Sequence, residues 1–310
     1  MAKLTSAQIM EVKGKGFLRN RGTDCFSGRI VPTGTVFTAD NFRDMSILAE
    51  QFGNGKLICT SRQAVEVPGI PFEKIDEAIA FANAHGLSFG GTGAKVRPIT
   101  ACKGTTCVYG NCDTQELAKK IHNEYYIGWS NVKLPHKFKI SVGGCPNSCI
   151  KPSLNDFGVE GHKVPEFDAD KCRKCKVCLI ESACPIKIVE MIDGMPYIDS
   201  KKCITCGNCV GKCPFDAVDP SVKPLYKVFV GGTWGKSARM GSALSEMVEE
   251  NEILPILEKS MLWFRENGYQ KERFGTTIDR VGFDKLEKAL REDDLLERKE
   301  EILAKELLQK

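Results

Sequence analysis

The chain has 310 residues, enough to bury a hydrophobic core in two or three small domains without covalent cross-links. Its formal net charge of +4 is too small to indicate a nucleic-acid-binding protein unless the charge is concentrated in a patch. The sequence shows no signal segment and no apolar run long enough to span a bilayer, so we expect a cytoplasmic protein without a membrane span. In that reducing compartment, fifteen cysteines indicate bound metal.

The first hundred residues predict an alternation of strands and helices. The predicted elements are short strands over 26–37, a helix over 41–52 with Asp40 as its N-cap, a strand-like segment over 57–67, and a helix over 71–85 that begins at Pro71. This alternation predicts an α+β or α/β layer.

The remaining segments add strands around the cysteines and helices at the end of the chain. They are a glycine-rich turn over 88–102, a helix over 113–125, a strand over 137–142, a strand over 225–232, and two long helices over 242–268 and 284–310. Pro255 predicts a kink in the first long helix. An apolar stripe on the last helix is formed by Leu286, Leu290, Ile302 and Leu307, and packing on its own domain is favoured over an oligomer contact.

The segment 166–219 contains eight of the fifteen cysteines, and we interpret it as an insertion between two strands of one sheet. Its second half has the spacing Cys-x2-Cys-x2-Cys-x3-Cys-Pro, which is typical of bacterial ferredoxins; the fourth cysteine of this motif binds the neighbouring cluster. Its first half repeats the pattern with a longer last loop. One [4Fe–4S] cluster is assigned to Cys172, Cys175, Cys178 and Cys213, and the other to Cys203, Cys206, Cys209 and Cys184.

A pair of structural zinc sites is the alternative interpretation, because Cys-x2-Cys pairs also bind zinc. Zinc sites use two pairs separated by a spacer, whereas each half of this segment packs three cysteines into a run of seven residues. The spacing therefore favours two [4Fe–4S] clusters. Two neighbouring clusters would form a short wire that delivers electrons elsewhere in the chain.

Five further cysteines lie in the stretch 101–151, and here the sequence resembles the sirohaem-dependent sulfite and nitrite reductases. The resemblance is strongest to the anaerobic and dissimilatory sulfite reductase branch, in which a ferredoxin domain is inserted, and within it to the small catalytic chain of the anaerobic enzymes. It extends from about Phe17 to Leu290. The matching motifs are Thr60-Ser61-Arg62-Gln63, Val96-Arg97, Cys102 to Cys107, Leu134-Pro135-His136-Lys137-Phe138-Lys139, Gly144-Cys145-Pro146-Asn147-Ser148-Cys149 and the 273–283 sequence RFGTTIDRVGF.

The resemblance implies an α+β sirohaem reductase fold with an inserted bacterial 2[4Fe–4S] ferredoxin domain. The implied domains are a ferredoxin-like half domain over 1–92, the first part of the sirohaem/[4Fe–4S] domain over 93–165, the inserted ferredoxin domain over 166–219, and the second part of the sirohaem domain over 220–310. The implied cofactors are one sirohaem and three [4Fe–4S] clusters, one of them coupled to the sirohaem.

The resemblance also implies four thiolates for the coupled cluster. Cys145 and Cys149 match the family's Cys-x3-Cys pair, which makes Cys149 the expected bridge to the sirohaem iron. The other pair departs from the family spacing: Cys102 and Cys107 are separated by four residues, and so are Cys107 and Cys112. We prefer Cys102 with Cys107, and Cys112 stays open as a replacement for either.

The family's four anion-binding and proton-supplying positions are matched by Arg62, Arg97, Lys137 and Lys139. Two of them, Lys137 and Lys139, lie two apart on a predicted strand and should point to one face. Arginine suits bidentate contact with an oxyanion, and a lysine screened from water can supply protons. Further contacts to the sirohaem or its carboxylates are expected from Thr60, Gln63, Lys103, Asn147, Lys236 and Arg239.

The implied reaction is the six-electron reduction of sulfite to sulfide. Nitrite reduction to ammonia at the same site and a non-catalytic iron–sulfur electron-transfer protein are the alternatives. No flavin or nicotinamide motif is evident, so electrons should come from a separate ferredoxin or flavoprotein. The chain carries one copy each of the cation and cysteine motifs, which suggests a homodimer or larger homo-oligomer in which each protomer supplies part of its partner's site.

Overall fold

The structure is a computed structural model and describes residues 4–310. The chain forms two compact units. The first unit contains the chain up to Thr100, Gln115–Ser141 and Glu258–Lys310, and the second contains Ala101–Thr114 and Val142–Leu257. Each unit is therefore assembled from segments that are distant in sequence.

The chain contains both strands and helices throughout. The strands are β1 Phe17–Arg19, β2 Cys25–Ile30, β3 Ile58–Cys59, β4 Val65–Pro71, β5 Thr100–Ala101, β6 Ile140–Gly143, β7 Phe157–His162, β8 Val189–Ile192, β9 Met195–Ile198, β10 Leu225–Val230 and β11 Ser242–Ala243. The helices are α1 Ser6–Gly14, α2 Ala39–Phe52, α3 Ile75–Ala84, α4 Thr114–Ile121, α5 Leu179–Ala183, α6 Glu250–Asn267, α7 Phe274–Val281, α8 Phe283–Arg291, α9 Asp294–Glu297 and α10 Lys299–Ala304, and the π-helical segment His122–Ile127 continues α4.

A four-stranded antiparallel sheet with the order β1-β2-β4-β3 organises the first unit. Helices α2 and α3 cover its apolar face, because Met45, Leu48 and Ala78 are buried against sheet residues such as Phe26 and Val67. Removing these side chains from water is the main source of stability in this layer.

A five-stranded sheet with the order β11-β10-β7-β6-β5 organises the second unit. Strands β7 and β10 are antiparallel neighbours, with Phe157 opposite Val230 and His162 opposite Leu225. The cysteine-rich segment is the connection between these two paired strands. It contains the small β8–β9 hairpin and α5.

Two predicted helices begin differently in the structure. Helix α2 starts at Ala39 because Thr38, not Asp40, forms a reciprocal capping box with Asn41; the side chain of each accepts the other's backbone N–H. The helix predicted to begin at Pro71 begins later. Pro71 is the last residue of β4, and a short 3₁₀ turn precedes α3.

The first of the two predicted C-terminal helices is present but begins later, and the second was predicted wrongly. Residues 242–249 precede α6, although Pro255 does lie inside that helix, and the last predicted helix is broken into α8, α9 and α10. The buried ammonium of Lys259 donates to the carbonyl of Leu290 at 3.3 Å and to Asp293 at 2.7 Å, which holds the chain at the first break. Leu286, Leu290 and Ile302 are nevertheless buried.

Among the helices of residues 4–310, none combines the length and apolar composition that a bilayer span requires.

Candidate active site and metal centres

A cavity of about 340 Å³ in the first unit is lined by six cationic side chains. Its lining includes all four predicted anion-binding residues and two further cations: Arg62, Arg97, Lys137, Lys139, Lys13 and Arg29. The rest of the lining is mainly small or polar and includes Thr60, Ser61 and Gly91. We call this space the cation cavity. Its composition suits a small anion.

Arg62 reaches the cation cavity from the loop of the β3–β4 hairpin. The Thr60 N–H donates to the Ala64 carbonyl at 2.8 Å, and the Gln63 N–H donates to the Thr60 carbonyl at 3.1 Å. Gln63 closes this turn with a φ of +58°, a strained value for a residue other than glycine. The Arg62 guanidinium is then fixed by donating to the Pro98 carbonyl at 2.9 Å.

Arg97, Lys137 and Lys139 are brought together by a parallel bridge between Val96 and Phe138. The Arg97 N–H donates to the Phe138 carbonyl at 2.8 Å. The Phe138 ring is buried against the Phe264 and Phe274 rings, so the lysines on either side of it project away from this core and line the cavity. The predicted strand begins only at Ile140, but two extended residues suffice to give both lysines the same face.

A glycine turn also lines the cavity. Gly91 has a φ of +75°, and its carbonyl accepts hydrogen bonds from Arg97 and, at 3.0 Å, from Arg29. A Cβ on Gly90 would lie 2.3 Å from the Tyr126 hydroxyl, which accepts the Gly91 N–H at 3.0 Å. The turn therefore requires glycine and orients two guanidinium groups.

Arg29, another cation of this lining, is paired with a carboxylate. Its Nη2 and Nε donate to Glu66 at 2.7 and 2.9 Å across the β2–β4 pair. The Glu66 side chain is 18% exposed, so this ion pair is partly shielded from water. We expect Arg29 to stabilise the sheet more than it binds anions.

The cations near the cavity affect the pKa of His136. Burial, followed by the charges of Arg273, Lys137 and Arg97, lowers the pKa of His136 to about 4. Its Nδ1 accepts the Lys137 N–H at 2.7 Å, which is consistent with a neutral ring. An anion entering this environment would be stabilised by the same charges that keep the imidazole neutral.

Four predicted cysteine ligands form a group in the second unit. Burial raises the pKa of Cys145, and the negative charges of Cys102, Cys107 and Cys149 add to the rise. The Gly144 N–H donates to the Cys102 sulfur at 3.2 Å. Such N–H bonds are typical around iron–sulfur clusters, where they stabilise negative sulfur.

The Cys112 side chain packs against β7. A Cβ added to Gly161 of β7 would approach its sulfur to 2.7 Å. Burial raises the pKa of Cys112 to about 12, the value expected of a protonated core thiol; a hydrogen bond with Tyr226 partly opposes the rise. The preference for Cys102 with Cys107 stays a prediction, and Cys112 stays open as a replacement for either.

The cysteine-rich segment contains two separate groups. The first is an apolar cavity of about 230 Å³, and its lining includes Cys172, Cys175, Cys178 and Cys213. The second consists of Cys203, Cys206, Cys209 and Cys184. The negative charges of Cys206 and Cys184 help to raise the pKa values of Cys203 and Cys209. Each group therefore combines three cysteines of one run with the fourth of the other. Ile180, Val189 and Val218 pack as a small core beside them.

Among residues 4–310, no three His, Cys, Asp or Glu side chains lie close enough together to hold a single metal ion. A [4Fe–4S] cluster places each thiolate on a different iron atom and does not need that arrangement.

The residues predicted to contact the sirohaem are distributed over both units. Thr60 lines the cation cavity, whereas Gln63 shapes its turn. Lys103 and Asn147 are exposed beside the cysteine group, and the backbone N–H of Asn147 donates to the Cys145 sulfur. Lys236 is exposed in the 233–239 hairpin, and the Arg239 guanidinium donates to the carbonyls of Gly231 and Met240.

Lys13 and Arg29 are the cavity cations that the sequence analysis missed. Lys13 lies on α1 and Arg29 on β2, far in sequence from the other four. Neither belongs to a recognisable motif. Only the pairing of Arg29 with Glu66 across the sheet could have been suspected, from two strand-like segments of opposite charge.

Two family models match the chain. The family model described as the nitrite and sulphite reductase 4Fe-4S domain matches residues 92–299, and the nitrite/sulfite reductase ferredoxin-like half domain matches residues 19–85. One of the chains that make up the anaerobic sulfite reductase of Salmonella typhimurium is 30% identical over 285 residues, which are 82% of this chain and 78% of that protein.

The coenzyme F420-dependent sulfite reductase of Methanocaldococcus jannaschii is 28% identical over 293 residues. These residues are 93% of this chain, but the chain spans only 44% of the length of that protein. A crystal structure of dissimilatory sulfite reductase I has a TM-score of 0.68 at 22% identity, over 86% of this chain and 69% of that chain. This structural similarity establishes the fold.

Proposed function

Because the chain belongs to the nitrite and sulphite reductase family, we propose that it is an oxidoreductase that reduces sulfite to sulfide. The observation that carries this proposal is the cation cavity, which combines six cationic side chains with space for a small oxyanion. Arg62 and Arg97 are held by backbone carbonyls and can bind sulfite oxygens in fixed geometry.

Lys137 and Lys139 are the proposed proton donors. Sulfite loses its oxygens as water while sulfur gains six electrons, so protons must reach the oxygens as they leave. Both ammonium groups line the cavity and are partly shielded from solvent, and each can donate a proton to a bound oxygen and recover one from water.

The cofactor next to the substrate is proposed to be a sirohaem coupled to a [4Fe–4S] cluster. The grouping of Cys102, Cys107, Cys145 and Cys149 fits such a cluster, and the exposure of Cys149 fits a thiolate that is shared with a second group. When bound, the sirohaem iron would hold the substrate sulfur and supply electrons to it. Contacts with its periphery are proposed for Thr60, Gln63, Lys103, Asn147, Lys236 and Arg239.

Segment 166–219 is proposed to be an inserted ferredoxin domain with two [4Fe–4S] clusters. Its first four-cysteine group lines an apolar cavity, and apolar surroundings are a recognised means of tuning cluster potentials. The remaining proposed domains are the ferredoxin-like half domain over 1–92 and the sirohaem domain over 93–165 and 220–310.

The electron donor is proposed to be a separate acidic carrier protein that docks at this segment. Cys175 is exposed, and four cations flank it in sequence: Lys171, Arg173, Lys174 and Lys176. Exposed apolar side chains, Val177 and Leu179, follow directly. A cationic surface with an apolar centre over a ligand thiolate favours fast association with an anionic carrier.

The active assembly is proposed to be a homodimer or larger homo-oligomer, since the chain contains one cation motif and one cysteine motif. Each protomer would then supply part of the site of its partner.

A turnover measurement tests the proposed reaction. Anaerobically purified protein should oxidise about six molecules of a reduced one-electron dye for each sulfide formed from sulfite, because sulfur changes from the +4 to the −2 oxidation state. Nitrite should be tested in parallel, because it is also a small oxyanion reduced by six electrons. Faster turnover of nitrite than of sulfite would assign the site to nitrite, and no turnover of either would contradict an enzymatic role.

A further inference from the structure

Asn111 is hydrogen-bonded to both cysteine systems of the second unit. Its backbone N–H donates to the carbonyl of Gly144 at 2.8 Å, one residue before Cys145. Its side-chain Nδ2 donates to the carbonyl of Cys206 at 3.2 Å and to that of Gly161 at 3.2 Å. A continuous hydrogen-bonded path therefore leads from the Cys145 peptide through Asn111 to the Cys206 peptide.

The surroundings leave Asn111 little freedom. A Cβ on Gly207 would lie 2.5 Å from the Asn111 Oδ1, and Gly207 has a φ of +76°, so this contact depends on glycine. The Cys206 segment is also attached to the residue that follows β7, because the Lys163 N–H donates to the Thr205 carbonyl at 3.0 Å. The amide of Asn111 thus completes a rigid junction between two ligand-bearing turns.

We propose that Asn111 is the positioning residue that couples the Cys203 group to the Cys145 group for electron transfer, an inference that rests on the proposed function of both groups as [4Fe–4S] ligands. With both clusters bound, the cluster of the Cys203 group would be oxidised by one electron and the cluster of the Cys145 group would be reduced by that electron. No bond would break and no proton would move.

The physical reason is electronic coupling. Coupling through covalent and hydrogen bonds decays less steeply with distance than coupling across empty space. The path through Asn111 contains two hydrogen bonds and otherwise only covalent bonds. The path also gives the order of electron transfer. The Cys172 group, with its exposed Cys175, would accept the electron from the donor, and the Cys203 group, next to Asn111, would pass it on.

An isosteric substitution with a matched control tests this role. Asn111→Asp keeps the shape of the side chain but removes both of its N–H donors. Asn111 and Asn208 both line a cavity of about 490 Å³. Asn208→Asp adds the same charge to the wall of this cavity but lies outside the path. If Asn111→Asp does not accumulate as folded protein, Asn111→Ala against Asn208→Ala gives the same comparison without added charge.

The measurement is made on holoprotein without substrate, by rapid reduction with a dye and freeze-quench electron paramagnetic resonance of each cluster. We expect Asn111→Asp to slow electron arrival at the Cys145 group roughly tenfold relative to Asn208→Asp, which corresponds to about 1.4 kcal/mol of added barrier. Hydrogen exchange of the Lys163 amide should accelerate roughly tenfold in the same variant, because the junction loosens.

Equal arrival rates in the Asn111 and Asn208 variants, with full iron content in both, would overturn the role of Asn111 and leave the proposed function intact. A slower rate explained entirely by a shifted reduction potential of either cluster would also overturn it. Absence of iron from the wild-type cysteine groups would contradict the proposed function itself.

Discussion

Replacement of Lys139 by methionine should lower catalytic efficiency while leaving the fold intact. A unit charge about 4 Å from a bound oxyanion contributes about 4 kcal/mol at an effective dielectric constant of about 20. Lys139 is partly exposed, so solvent screening reduces this contribution to about half. The remaining 2 kcal/mol or so predicts a fall in kcat/KM of roughly 30-fold.

The structure divides this effect between binding and proton supply. Lys139→Arg keeps the charge at the cavity, so KM for sulfite should stay near the wild-type value, but a guanidinium is a far weaker proton donor and kcat should fall. Lys133→Met is the matched control, because Lys133 is exposed in the same segment and lies outside the cavity lining. The unfolding free energy of all three variants should remain within about 0.5 kcal/mol of wild type.

The assay is steady-state sulfite reduction by a reduced dye at low and high ionic strength. The Lys139→Met deficit should be largest at low salt, because screening weakens the interaction that is lost. If Lys139→Met matches Lys133→Met in kcat/KM at both salt concentrations, the cation cavity is not the substrate site.

Three further predictions concern the metal centres, pH and assembly. Cys102→Ser should lose about four iron atoms per chain by elemental analysis, whereas Cys112→Ser should retain all of them, because the buried Cys112 sulfur packs against Gly161 of β7; iron loss in Cys112→Ser would reverse the assignment. Burial lowers the pKa of His136 from 6.5 to about 4, so the folded chain binds fewer protons than the unfolded chain between these values, and the unfolding free energy should fall as pH decreases through that range. Denaturant titration of His136→Asn should show a weaker pH dependence than wild type, and an equal dependence would refute the assignment. When the Lys139→Met and Cys102→Ser proteins are mixed, unfolded and refolded together, part of the activity should return if sites are shared between protomers. No recovery would favour a site within one chain.

The local spacing of cysteines was the most informative part of the sequence. Three cysteines within seven residues must lie near each other whatever the surrounding fold, and the structure does gather Cys172, Cys175 and Cys178 around one cavity with Cys213. Their assignment as iron ligands remains a prediction. The choice among Cys102, Cys107 and Cys112 could not be made from spacing, because both pairs are separated by four residues, and it stays a prediction.

Contacts between distant segments explain most of what sequence patterns missed. The predicted C-terminal helix was continuous because its apolar spacing is continuous, but Lys259 on another helix holds the chain at Leu290 and Asp293 and favours a break. Arg29 lines the cation cavity because the pairing of β2 with β4 positions it there, and this pairing joins segments that are distant in sequence. Lys137 and Lys139 were correctly predicted to share a face, since alternation in an extended segment is a local property.

Cofactor content of the anaerobically purified protein tests the central proposal most directly. Acid extraction should release one sirohaem per chain, and elemental analysis should find about thirteen iron atoms per chain, from three [4Fe–4S] clusters and one haem iron. A colourless extract with about eight iron atoms per chain would contradict a sirohaem reductase and would leave only an electron-transfer role for the ferredoxin-type clusters.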